Sequence, residues 1–204
     1  VIGDPGSGKS TLLRFLSIQL TKQYLSNRNM LEHQTLSSEF FDRKYFPVLI
    51  EFSSMVPWLE KTYREDAEEC NLNMLATYIH EELLGRRYND PENEICNILK
   101  ERCIFIFDGL DEISPSVTEK NDYHSSKKGS IASRKKIVCS LIENIDTSSP
   151  ESKIVLSCRQ RDYGQWNLKG IAKVYLQPMD EPIMRQLISN ILNFYGAETD
   201  PDRL

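Results

Sequence analysis

The 204-residue chain has no long hydrophobic run. None of its apolar stretches approaches the ~20 residues needed to cross a bilayer, and no charged-then-apolar leader opens it. A soluble, cytosolic module with no membrane partner is therefore expected. A basic half is also lacking: the formal charge is −5, from 25 Lys and Arg against 30 Asp and Glu, so nothing advertises a duplex-DNA surface and nucleic acid is not an expected partner. The five cysteines, Cys70, Cys96, Cys103, Cys139 and Cys158, are odd in number, far apart and without a CxxC pair. That excludes a disulfide framework and points to reduced packing residues. His33, His80 and His124 are scattered, with no metal-like pairing to cysteine. No internal repeat occurs, and no N-K-x-D or T-K-x-D motif of the kind that reads guanine. The chain opens on Val1 rather than Met, and Val1 and Ile2 are expected to be the end of a strand cut from a longer protein.

What is present is an alternation of apolar strands and amphipathic helices, with enough length for one main core. Residues 9–25 place Leu12, Leu13, Leu16, Leu20 and Leu25 at helical spacing. FPVLIEF at 46–52 is a short β-branched and aromatic run, expected as a strand. Asn71 is placed to cap a helix running through Leu84, with Leu72, Leu75, Ile79 and Leu83 on its apolar face and Gly85 at its end. Pro91 opens a shorter helix toward Lys100. CIFIF at 103–107 is continuously apolar, as a central parallel strand covered on both faces would be.

Residues 114–130 have almost no apolar content and are expected as a mobile loop. A helix over about 133–145, strands at 153–157 and 174–177, and a final amphipathic helix from Glu181 to Tyr195 complete the pattern. Alternation of this kind predicts an α/β fold with a mainly parallel sheet between helices. Trp58 and Trp166 are expected to pack rather than to stack on a ligand. Lys127, Lys128, Arg134, Lys135 and Lys136 read as a solvated basic face, with docking of an acidic partner as the alternative.

Two segments carry chemistry. GDPGSGKST at 3–11 satisfies G-x-x-x-x-G-K-[ST] through Gly3, Gly8, Lys9 and Ser10, a match that chance gives a chain this long on the order of once in a hundred. It lies between a strand stump and a helix. Such a loop, made of Gly3, Asp4, Pro5, Gly6, Ser7 and Gly8, turns its backbone N–H groups toward an anion. Lys9 is then expected to reach the β and γ phosphates, Ser10 to offer its hydroxyl to Mg²⁺, and Thr11 to contact the α phosphate. The second segment is FIFDGLDEI at 105–113. Asp108 closes a buried apolar strand, which is where P-loop proteins hold magnesium. Asp111 and Glu112 come next as acids able to orient or deprotonate a water, the alternative being a solvated acidic turn. Gly109 occupies the place where many P-loop ATPases carry that acid, so slow hydrolysis is expected. Ser157, Arg159 and Arg161 end the next strand; Arg159 suits a γ-phosphate sensor or a structural salt bridge.

Together, GDPGSGKST, FIFDGLDE and IVLSCR resemble the NACHT family of signal-transduction ATPases, over roughly residues 1–195. The family shows a small residue after the magnesium aspartate with two acids beyond, as here; it commonly has Thr-Ser-Arg where this chain has Ser157, Cys158 and Arg159. The resemblance implies a P-loop NTPase with an α/β/α sandwich, its first strand truncated. It places the nucleotide-binding domain at 1–177 and the start of a helical lid at 178–204. It implies ATP or ADP with Mg²⁺ as ligands and a slowly hydrolysing switch between an effector and repeats, forming a homo-oligomer after exchange of ADP for ATP. Carried over to this chain, Lys9 and Ser10 would hold phosphate and metal, Asp108 the metal, Asp111 and Glu112 the water, and Arg159 would sense phosphate. An ADP-retaining assembly scaffold and a P-loop small-molecule kinase are the alternatives.

Overall fold

A computed structural model describes residues 1–25, 45–63, 70–85, 91–113, 127–166, 168, 170–178 and 180–194. It shows a mixed α/β fold whose strands all pair in parallel. In chain order the elements are β1 (Ile2–Gly3), α1 (Lys9–Leu25), β2 (Phe46–Glu51), α2 (Phe52–Tyr63), α3 (Leu72–Tyr78) and α4 (Pro91–Lys100). They are followed by β3 (Cys103–Asp108), α5 (Lys127–Ser148), β4 (Lys153–Leu156), β5 (Cys158–Arg159), α6 (Gln160–Tyr163) and α7 (Glu181–Phe194). No described helix is long and apolar enough to cross a membrane.

β3 is the centre. All six of its residues are buried, and it pairs with β2 on one side and β4 on the other. Only Ser157 separates β4 from β5, which turns to pair with β1 (Ile2 with Cys158, Gly3 with Arg159). Ile2 bridges on its far side to Tyr175: its N–H donates to the Val174 carbonyl at 2.7 Å and its carbonyl accepts from the Leu176 N–H at 2.8 Å. Backbone bonding thus runs through β2, β3, β4 with β5, β1 and residues 174–176 in that order. The strand expected at 174–177 is reduced to this one bridge, because a two-residue β1 has little edge to offer it.

Alternation along β3 divides the core. Ile104 and Ile106 face α1 and pack with its Leu13 and Leu20, while Phe105 and Phe107 face a larger cluster with Met55, Leu59, Leu75 and Leu141 from the helices on the other side. Phe107 stacks on Phe52 at 5.0 Å between ring centroids. Trp58 packs edge-on to Tyr78 at 5.4 Å, and Trp166 is also buried. Of the five α1 leucines, Leu13, Leu16 and Leu20 pack against the sheet; Leu12 and Leu25, which share their helical spacing in sequence, are exposed.

The cap on α3 forms as its sequence predicts, the Met74 N–H donating to Asn71 Oδ1 at 3.1 Å. Leu83, however, is half exposed. After Tyr78 the helix widens into a π-turn over Ile79–Leu83, closed by Leu84 N–H to the Ile79 carbonyl at 2.9 Å. One extra residue rotates the next positions by about 100°, so Leu84 takes the core position that a regular helix would give Leu83. Of the loop expected at 114–130, residues 114–126 lie outside the described residues and 127–130 are helical, since α5 begins at Lys127. Lysines favour a helix, and a single Gly129 costs it only about 1 kcal/mol.

Candidate functional site

Because every strand runs the same way, the carboxyl ends of β1, β2, β3 and β5 emerge on one edge, the side on which open parallel sheets bind ligands. β1 ends at Gly3, and residues 4–8 lead into α1. Gly6 and Gly8 hold φ of 77° and 87°, a left-handed conformation that side-chain-bearing residues rarely adopt. Gly3, unlike Gly6 and Gly8, is not left-handed and is needed for the space around it. A Cβ there would lie 2.5 Å from Ser7 Oγ and 3.3 Å from Leu176 Cβ. The loop is closed by Ser7 N–H to the Asp4 carbonyl at 3.1 Å, and Ser7 Oγ is buried without a hydrogen-bond partner among the described residues. Asp4, Pro5 and Gly6 lie exposed at the rim, as do Ser10 and Thr11 in the first turn of α1. That turn leaves N–H groups with no intrahelical acceptor. Lys9 Nζ donates to the carbonyls of Gly3 at 2.9 Å and Asp4 at 3.0 Å, folded back across its own loop.

Asp108 continues the alternation of Ile104 and Ile106, so it projects on the α1 side of the sheet, where Ser10 lies in the first turn of the helix. The residue is 8% exposed, and its carboxylate accepts a hydrogen bond from the Ser157 hydroxyl. Ser157, fully buried, in turn accepts from the Gly109 N–H at 2.8 Å, while its own N–H donates to the Phe107 carbonyl at 2.9 Å. The sequence marks Ser157 only as a polar strand end. The register of β4 on β3 makes it the residue that orients Asp108.

The acids beyond separate into two environments. The Asp111 side chain is only 6% exposed: Oδ1 accepts from the Arg159 backbone N–H at 3.0 Å and Oδ2 lies 2.7 Å from Arg159 Nε. The salt-bridge alternative for Arg159 is thus what the structure contains, joining β5 to the 3₁₀ turn Leu110–Ile113. Glu112 is exposed and lies over Gly109. Gly109 has φ 82°, and a Cβ on it would meet Glu112 Cδ at 2.9 Å and Oε2 at 3.0 Å. The Glu112 carboxylate therefore borders the space that a side chain at position 109 would fill.

Two functional candidates escape the motifs. Glu51 ends β2 as Asp108 ends β3, and the two are paired in register. Arg14, one helical turn after Ser10, donates to Glu51 Oε1 at 2.8 Å. The signal for Glu51 was an acid closing an apolar strand, the same signal that singles out Asp108; without the register its significance is invisible.

Magnesium needs hard oxygen donors and retains several waters. Ser10 hydroxyl and the Asp108 carboxylate are of that kind and lie on the same side of the sheet. Among the described residues no group of three or more His, Cys, Asp or Glu is arranged to hold a metal ion. A cavity of about 740 Å³ opens at the opposite, amino edge of the strands, beside Phe46, Arg102 and Glu151, and contains none of these groups. No family model matches the chain, and no curated protein matches it.

Proposed function

We propose that the chain is an ATP- and Mg²⁺-binding regulatory module of the NACHT type, hydrolysing its nucleotide slowly and controlling self-assembly of a cytoplasmic signalling protein by exchange of ADP for ATP. The mixed α/β fold is then a P-loop three-layer sandwich, with the nucleotide domain at 1–177 and the start of a helical lid at 178–204. One observation carries this reading: the glycine loop on β1 and the buried, Ser157-bonded Asp108 on β3 open on the same sheet edge.

Within it, the Gly6–Thr11 backbone and the α1 dipole bind phosphate oxygens. Lys9 leaves the Gly3 and Asp4 carbonyls, whose neutral bonds a charged phosphate outcompetes. Ser10 and Asp108 would hold Mg²⁺, which supplies charge neutralisation along the phosphates. Glu112, the exposed acid, accepts a proton from water as the water oxygen bonds to the γ phosphorus and the β–γ bridging oxygen leaves with its electron pair, giving ADP and inorganic phosphate. Asp111 and Arg159 first hold β5 against the acidic turn. Arg159 senses the γ phosphate by exchanging part of that pairing.

The occupied state of Asp111 also favours a second reading, an ADP-retaining scaffold without useful catalysis. Single-turnover hydrolysis separates the two. The switch predicts a rate lowered roughly 100-fold or more by Glu112→Gln, in line with loss of a general base, and a larger particle with ATP than with ADP by light scattering. An unchanged rate in that variant contradicts the catalytic assignment and leaves the scaffold.

A further inference from the structure

A second carboxylate stands at the corner where Asp108 emerges. In a parallel pair, residues in register project to the same face with their Cβ atoms about 5 Å apart. Glu51 is in register with Asp108, and Leu49, two residues before it, packs with Leu13 and Leu20 of α1. Both acids thus stand on the α1 side. Ser10 and Arg14 are spaced i and i+4 on α1 and share one helix face. Arg14 reaches Glu51 at 2.8 Å, which places that face toward the acids. Its pKa is raised, first by the hydrogen bond to Glu51 and further by the charges of Glu51 and Asp108. Four polar groups from α1, β2 and β3 therefore share one corner.

We propose that Glu51 is a positioning residue of the magnesium corner: its carboxylate accepts hydrogen bonds from water in the metal's shell, while Arg14 fixes its direction from the helix. This rests on the nucleotide reading above. The chemistry needs such a group. A Mg²⁺ ion held by one hydroxyl, one acid and phosphate oxygens keeps several waters, and those waters require acceptors. Asp108 already accepts from Ser157 and cannot orient them all. A structural role for the Arg14–Glu51 pair explains less, because both side chains are about half exposed, and such pairs contribute little to stability.

The test is a titration of Mg²⁺ into the chain with a fluorescent ATP analogue, for wild type and Glu51→Gln, with the affinity in EDTA measured alongside. Loss of an outer-shell acceptor typically weakens metal binding by about 10- to 100-fold. The half-saturating Mg²⁺ concentration is therefore expected to rise about tenfold in Glu51→Gln, with metal-free affinity and melting temperature unchanged. Glu51→Asp should recover part of the loss. An unshifted Mg²⁺ requirement in a variant that binds the analogue overturns the role of Glu51 alone. So does an equal loss with and without metal, which marks a merely structural effect. Failure of the wild type to bind the analogue overturns the nucleotide reading itself, and Glu51 with it.

Discussion

Restoring the acid that many P-loop ATPases carry beside the magnesium aspartate should fail in this chain. By sequence alone, Gly109→Glu moves FIFDGLDE toward the commoner arrangement and ought to speed hydrolysis. The backbone argues otherwise. At φ 82° an L-residue is strained by roughly 1–2 kcal/mol. The new Cβ would also lie 2.9 Å from Glu112 Cδ, so the carboxylate must retreat by about half an ångström or more to reach ordinary contact. A second negative charge beside Glu112 adds repulsion. For a domain of this size 1 kcal/mol corresponds to about 2–4 °C, so the strain alone should lower the melting temperature by about 2–8 °C. Gly109→Ala isolates the backbone part and should show that loss without the charge. Differential scanning calorimetry reads the stability, and single-turnover hydrolysis reads the chemistry. The expected outcome is a lower melting temperature and a rate at or below wild type. A Gly109→Glu protein as stable as wild type and faster in hydrolysis would refute the claim that Glu112 borders the space a side chain at 109 would enter.

The same geometry predicts three further outcomes. Asp111→Ala removes the acceptor of the Arg159 N–H and the partner of its guanidinium; a loss of about 1–3 kcal/mol in denaturant unfolding is expected, and no loss would mean that Asp111 is not the tie between β5 and the acidic turn. Ser157→Ala strands the buried Gly109 N–H and frees Asp108 to turn; a similar stability loss is expected, with a raised Mg²⁺ requirement in titrations with the ATP analogue. Burial pushes the thiols of Cys70, Cys103 and Cys158 up to about 12 from an ordinary value near 9. The folded state therefore keeps these protons where the unfolded chain has lost them, so stability is full below pH 9 and falls as pH rises from about 9 toward 12. In the native protein these thiols should react slowly with a disulfide reagent at pH 8, and rapid labelling of Cys103 would contradict its burial.

Much of the architecture could be read from residue patterns because the physics was local. A five-residue apolar run rich in Ile and Phe suits a covered strand, as CIFIF proved to be. Asn71 and Pro91 marked helix starts through their own backbone and side-chain chemistry. Glycine spacing in GDPGSGKST fixed the turn at Gly6 and Gly8. Whatever depended on register was hidden. Glu51 and Asp108 are far apart in sequence yet side by side in the sheet, and Ser157 reaches Asp108 only because β4 sits where it does. The exposure of Leu83 was equally invisible, since nothing in IHEEL announces that one residue will be inserted into the helical repeat. Glycine at 109 illustrates both sides: its identity suggested a missing catalytic acid, whereas its conformation shows that any side chain there is strained and crowds Glu112.

The central claim is that residues 3–11 bind the phosphates of a nucleotide, and equilibrium titration of Mg-ATP against wild type and Lys9→Ala tests it most directly. Losing charge-assisted bonds from Lys9 to phosphate oxygens should weaken affinity by about 10- to 150-fold, equivalent to roughly 1.5–3 kcal/mol, with the fold intact by circular dichroism. Equal affinities for the two proteins, or no binding by wild type, would contradict it.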